Sequence, residues 1–180
     1  MLAEITASFC AHWFRNEPLP ASLLVIASGT SGNGKTHTLR AISRWANASA
    51  MAAFRNPLGR GWGKDRVPGV IMVSWPEVVT GLYEKDKPSL PLLDDMKRVE
   101  MLLVDDIGAE NDPWKQGADA LCQVLSKREH KFTAVTTNIA IANWATKWEP
   151  RIADRLLRFS DVVELLNTPS FATLTKSHAV

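Results

Sequence analysis

Cysteine is scarce in this chain. Cys10 and Cys122 are the only two in 180 residues, and they share no C-x-x-C spacing. That excludes a disulfide framework and a thiolate metal site, and leaves two inert thiols in a reducing compartment. Long apolar runs are missing as well: no stretch approaches the ~20 residues needed to span a bilayer. Residues 1–14 lack the basic start and continuous apolar core of a signal peptide. The chain is therefore expected to be soluble and cytoplasmic, without a membrane partner. A net charge of +2 is too small to argue nucleic-acid binding by itself. No repeat or low-complexity tract appears. His12, His37, His130 and His178 show no partner pattern and receive no catalytic role.

What is present is an ordinary globular balance, 46% hydrophobic and 22% charged, in a length that suits one α/β domain. The most informative stretch is Gly29-Thr30-Ser31-Gly32-Asn33-Gly34-Lys35-Thr36, which fits G-x-x-x-x-G-K-[ST], the phosphate-binding P-loop. Residues 23–27 (LLVIA) precede it as a buried strand, and 36–45 follow as a helix whose core-facing stripe is Leu39, Ile42 and Trp45-Ala46. Strand, Gly-rich turn and helix together aim backbone N–H groups and the positive helix end at one anion. Lys35 would reach the β- and γ-phosphates of a nucleotide and Thr36 would offer its hydroxyl to Mg²⁺.

The rest of the chain alternates. An amphipathic helix carries Leu2, Ile5, Phe9 and Trp13. Residues 47–69, rich in Gly and Pro, read as a long surface connection. Strands are expected at 70–73, 101–104, 133–136 and 161–166. Helices are expected after Pro76, at 94–98 as a weak turn, and at 117–130 with Leu121, Val124 and Leu125 inward. Two more are expected at 141–148 and 151–158, split by Pro150. This order predicts an α/β fold, a three-layer P-loop NTPase with a five-stranded parallel sheet and ligands at the strands' carboxyl ends.

The polar motifs fall at such ends. Residues 101–104 end in Asp105-Asp106, a Walker B pattern. Asp105 is assigned to the metal shell with Thr36, and Asp106 to polarising the attacking water. Thr136-Thr137-Asn138 ends the next strand, where Asn138 can hold the water or the γ-phosphate. Arg151, Arg155 and Arg158 share one helical face at i, i+4 and i+7.

Together the P-loop, "LLVDDIGAE" at 102–110, "TTN" at 136–138 and "RIADRLLR" at 151–158 resemble the DnaC/IstB-like branch of the AAA+ ATPases, and so does "GKTH" at 34–37, ending in His37. The resemblance covers roughly residues 1–166. It implies an AAA+ core at 21–166, flanked by the N-terminal helix at 1–16 and a tail at 167–180; the chain is expected to depart from the broader class in having no separate helical lid. It implies that ATP and Mg²⁺ are the cofactors and that residues 29–37 bind the nucleotide. Asn138 would be sensor 1. Arg155 would be an arginine finger acting on a neighbouring subunit, with Arg151 supporting it, so the protein would work as a homo-oligomer with the active site at the subunit interface. The implied role is a DnaC-like replicative helicase loader in DNA replication, with a replicative helicase and single-stranded DNA as partners. An IstB-like helper that works with a transposase on duplex DNA, and a nucleotide-gated interaction module with little hydrolysis, are the alternatives. DNA contact has two candidate places. One is Arg55, Arg60, Lys64 and Arg66 around Trp62; the other is the segment with Lys85, Lys87, Lys97 and Arg98. Trp114, just past the Asp pair, is expected to pack under the active-site loop.

Overall fold

The computed structural model describes residues 4, 7, 8, 11, 23–27, 32–54, 67–84, 89–129, 131–158 and 160–165. Five strands form one parallel sheet: β1 (Leu23–Ala27), β2 (Val67–Ser74), β3 (Val99–Ile107), β4 (Phe132–Thr137) and β5 (Ser160–Glu164), in the order β2-β3-β4-β1-β5. The helices are α1 (Lys35–Phe54), α2 (Trp75–Tyr83), α3 (Ser89–Arg98), α4 (Gln116–Ser126), α5 (Trp144–Lys147) and α6 (Pro150–Arg158). A 3₁₀ turn, Ile141–Asn143, leads into α5. This is the α/β P-loop NTPase core that the alternation predicts.

The central strands β3, β4 and β1 are buried on both faces, while the edge strands β2 and β5 are only partly buried. Alternate residues serve opposite layers. Leu24, Ile26, Met101, Leu103 and Ala134 pack with Leu39, Ile42 and Ala46 of α1. Val25, Ala27, Leu102, Val104 and Val135 pack with Val78, Val79, Leu121, Val124, Ile152 and Leu156 of the other helices.

Several boundaries differ from expectation. Helix α1 runs on to Phe54 instead of ending near residue 45, because the Ala-rich stretch after Trp45 keeps helix propensity high. Trp45 is not part of the core stripe; it is 38% exposed. One step along a helix turns about 100°, and with Ala46 facing the sheet Trp45 swings outward. Strand β2 begins at Val67, and its register slips between Val67 and Val70 where Pro68-Gly69 makes a bulge. Helix α3 starts at Ser89 rather than 94, with Pro91 in its first turn. Helix α4 stops at Ser126, short of residue 130. In the N-terminal stretch Glu4, Ala7, Ser8 and Ala11 are helical. The remainder of 1–16, residues 55–66 and the tail at 167–180 lie outside the described residues. Among those described, no helix is long and apolar enough to cross a membrane.

At the amino edge of the sheet a buried arginine ties three elements together. Arg128 is 2% exposed. It donates to the carbonyls of Met96 (2.8 Å), Val99 (2.7 Å) and Phe132 (2.7 Å) and to the Thr133 hydroxyl (2.9 Å). Burial brings its pKa down to about 9, partly offset by Glu100, so it remains charged at neutral pH.

Candidate functional site

The nucleotide loop is described from Gly32 onward; Gly29, Thr30 and Ser31 lie outside the described residues. Gly32 and Gly34 have φ of 80° and 91°. A Cβ at Gly34 would meet nothing within 4 Å, so glycine is required there for its backbone angle and not for space. Helix α1 begins at Lys35, and the Thr38 N–H bonds the Gly34 carbonyl at 2.9 Å. The amides of Lys35, Thr36 and His37 come before any intrahelical acceptor is available to them. They form a cluster of donors at the positive end of a 20-residue helix, the chemistry of an anion cradle. Lys35 is only 5% exposed, and its ammonium donates to Asn33 Oδ1 at 2.8 Å. Burial pulls its pKa below the usual lysine range, while the Asp106 and Asp105 carboxylates pull it back up.

Opposite this loop, β3 carries a bulge that no sequence pattern announced. Val104 pairs with Val135 and Ile107 with Thr137, so Asp105 and Asp106 together face the single residue Thr136. Asp106 takes φ of 59°, a left-handed conformation rare for a side-chain-bearing residue. The Thr136 hydroxyl holds both: it donates to Asp105 Oδ1 and accepts the Asp106 N–H at 3.0 Å. Asp105 is buried beside the sheet, while Asp106 is half-buried and turned toward β4. There Asn138 Nδ2 donates to Asp106 Oδ1 at 3.1 Å. Burial and the neighbouring Asp105 raise the Asp106 pKa, against the opposing pull of Lys35 and Asn138. Asn138 Oδ1 is buried with no hydrogen-bond partner. It is an acceptor beside a carboxylate, the pair of groups needed to orient one water molecule.

The loop after β3 is fixed by close contacts. Gly108 has φ of 89°, and a Cβ there would run into Ile139 and crowd the Trp148 indole at 3.2 Å. Glu110 accepts the Gly108 N–H at 2.6 Å, and burial raises its pKa. Asp112 caps α4 from the loop, accepting from Gly117 N (3.1 Å) and Ala118 N (2.8 Å), and takes the Tyr83 hydroxyl as well. Burial by itself would raise the Asp112 pKa; these donors together hold it below the usual range. Trp114 does not pack under the loop. It is 73% exposed and meets the Tyr83 ring edge-on, with centroids 5.4 Å apart.

The arginines sit elsewhere. Arg155 Nε donates to Ser126 Oγ at 2.8 Å, and its NH1 to the Arg151 carbonyl at 3.2 Å. Arg151 is held by Asp119 (3.0 Å) and Glu149 (2.7 Å), and Arg158 by Asp154 (2.8 Å). Ser126 closes α4, which returns from the carboxyl to the amino edge of the sheet. Arg155 therefore lies about one strand length, ~20 Å, from the carboxyl edge that carries Asp106. With Lys97, Lys127, Asp119 and Arg151 it lines a cleft of about 320 Å³. The fold thus gathers Lys35, Asp105, Asp106 and Asn138, and leaves Arg151 and Arg155 outside that group. Thr136 and the bulge are the parts that motif reading did not assign; the one signal for them was Thr136 standing two residues before Asn138.

Among the described residues no cluster of three or more His, Cys, Asp or Glu could hold a metal by itself. Thr36, in the first turn of α1, and Asp105, near the end of β3, are the two hard oxygen donors that would hold a Mg²⁺ completed by phosphate and water rather than by an all-protein cage.

No protein-family model and no curated protein matches the sequence. Solved structures do. The crystal structure of DnaI superposes with a TM-score of 0.66 at 21% identity, over 91% of this chain and 81% of that one. AMPPCP-bound DnaA from Aquifex aeolicus gives 0.63 at 18%, over 89% of this chain and 44% of that one. The Aeropyrum pernix ORC1 protein in complex with DNA gives 0.57 at 14%, over 99% and 48%. The chain thus spans less than half the length of those DnaA and ORC1 chains. The class that fold and site define is the α/β P-loop NTPase core, with the nucleotide loop following β1 of a five-stranded parallel sheet. Within that class the fold is shared with DnaI, DnaA and ORC1, in agreement with the DnaC/IstB-like motifs.

Proposed function

We propose that this protein binds ATP with Mg²⁺ and hydrolyses it slowly, as a DnaC-like AAA+ protein of DNA replication that loads a replicative helicase. One observation carries the catalytic part: Lys35, Asp105, Asp106 and Asn138, from separate segments, meet at the carboxyl edge of the sheet with their charges coupled. Mg²⁺-ATP, when bound, supplies the scissile phosphoanhydride and the metal's stabilisation of developing charge. The chain's own groups do the rest. The amides of 34–37 and the Lys35 ammonium orient and neutralise the phosphates. Thr36 and Asp105 provide oxygens to the metal. Asp106, its pKa raised, accepts the proton of a water that Asn138 Oδ1 helps to aim.

Arg155 cannot serve its own Asp106 across the sheet, which favours its use on the site of a neighbouring copy. Hydrolysis would then require assembly. The replication role rests on fold likeness to DnaI and to replication initiator DnaA, one structure of which is bound to AMPPCP and single-stranded DNA. The test is steady-state ATP hydrolysis over a range of protein concentrations, with and without single-stranded DNA, for wild type and Arg155→Ala. Specific activity that climbs with concentration or DNA and collapses in the variant supports an assembling ATPase. Flat activity that survives the substitution rejects it and favours the nucleotide-gated module.

A further inference from the structure

Arg155 differs from the cations around it. Lys97 is paired with Asp94, Arg151 with Asp119 and Glu149, and Arg158 with Asp154. Arg155 has no acidic partner among the described residues. Neutral oxygens hold its half-buried guanidinium instead: Nε donates to Ser126 Oγ at 2.8 Å and NH1 to the Arg151 carbonyl at 3.2 Å. A guanidinium has five N–H donors, so most of them remain available. The side chain lines the cleft of about 320 Å³, and Lys127 lines it too, exposed and without an ion pair among the described residues. A cleft with uncompensated positive charge and free N–H donors is matched to an anion with several acceptor oxygens.

Ser126 sets the direction of that guanidinium. Its hydroxyl donates to the Cys122 carbonyl, one turn back on α4, at 2.7 Å. With the proton committed there, the Ser126 oxygen can only accept from α6, and the Arg155 Nε–H is the donor it meets. Cys122 carbonyl, Ser126 hydroxyl and Arg155 Nε form a chain of hydrogen bonds from one helix to the next. The Nε–H bond lies in the guanidinium plane. Holding it, with NH1 on the Arg151 carbonyl, therefore fixes the plane as well as the position. The ion pair of Asp119 with Arg151, at 3.0 Å, braces the same two helices near their starts. A free arginine loses much rotamer freedom when it binds an anion, and one already held in place loses less.

We infer that Ser126 is a positioning residue, which holds the Arg155 guanidinium ready for the phosphates of a nucleotide bound to a neighbouring copy. That role rests on the proposed use of Arg155 at a neighbour's site.

The test mixes full-length chains that can act only in pairs and reads hydrolysis of Mg²⁺-ATP. In the parent mixture the Lys35→Ala chain supplies Arg155, and the Arg155→Ala chain supplies the intact nucleotide loop. Adding Ser126→Ala to the chain that supplies Arg155 is expected to lower the recovered kcat about 10-fold, with KM for ATP within about twofold, because a misaligned guanidinium acts after the nucleotide has bound. Adding it to the Arg155→Ala chain should leave the recovered rate as it was, since the group that Ser126 holds is already gone there. Ser126→Thr keeps a hydroxyl and should restore most of the rate. A urea melt of each chain separates misfolding from misalignment. Equal rates with and without Ser126→Ala overturn the inference. A similar fall whichever chain carries Ser126→Ala also overturns it, by marking the serine as merely structural, and so does a rise in KM with kcat unchanged. If the parent mixture recovers no activity, the proposed assembly fails and this role fails with it. If the parent mixture recovers and only the Ser126 variants disagree, the assembly stands and this role alone fails.

Discussion

Asp106 combines a strained backbone, a raised pKa and a hydrogen bond to Asn138 in one residue. Asp106→Asn keeps the shape and removes the proposed proton acceptor. It should lower the ATPase rate about 100-fold or more while nucleotide affinity stays near wild type, as single-turnover rates and ATP titration would show. Arg128 makes the opposite kind of prediction, one of stability. Its fork satisfies several carbonyls at once, and lysine cannot reproduce that fork. Arg128→Lys should destabilise the fold by about 2–4 kcal/mol, because buried acceptors lose their donors. A urea melt with ΔΔG below about 0.5 kcal/mol would show that water replaces the guanidinium freely. Motif spacing makes Asp106 and Asn138 legible in the sequence. Arg128 was not legible, since it lies next to ordinary surface residues and its acceptors are backbone atoms with no sequence signature.

Helix α4 starts at a left-handed Lys115 that offers no side-chain cap, so Asp112 supplies one from the loop. Asp112→Ala should cost about 1–2 kcal/mol, by analogy with lost N-caps. Its donors hold the folded-state pKa below the unfolded value. The stabilisation is therefore present above the unfolded pKa, about 3.9, and is lost as pH falls through the folded one. The stability difference between wild type and Asp112→Asn should thus be largest near neutrality and shrink below about pH 4. Gly108 belongs to the same loop. Gly108→Ala would meet Ile139 and a forbidden φ together, and should cost about 1–3 kcal/mol while loosening the loop that follows Asp106. Element types were legible from periodicity, but ends were not. Helix α1 runs nine residues past Trp45 because alanines carry propensity without a hydrophobic stripe.

In the whole molecule, the proposed catalytic groups and Arg155 occupy different edges of the sheet. That separation is the basis for proposing assembly in which one copy completes the next. Lys35→Ala and Arg155→Ala chains should each be nearly inactive. Mixed in equal amounts they should recover about a quarter of wild-type activity, since one pairing in four joins an intact Lys35 to an intact Arg155. No recovery on mixing would mean that Arg155 does not complete the site of a neighbouring copy.

The sequence alone determined the alternation of strands and helices, the Gly-rich turn before Lys35 and the acidic pair after a buried strand. Each of these depends on neighbours within a few residues, where propensity and periodicity act. Tertiary structure decided the strand order, the bulge that sets Asp105 and Asp106 against Thr136, the exposure of Trp45 and Trp114, and the distance between Arg155 and its own Asp106. Those depend on which distant segments pack side by side, and packing is settled by the burial of whole faces, which no local pattern records.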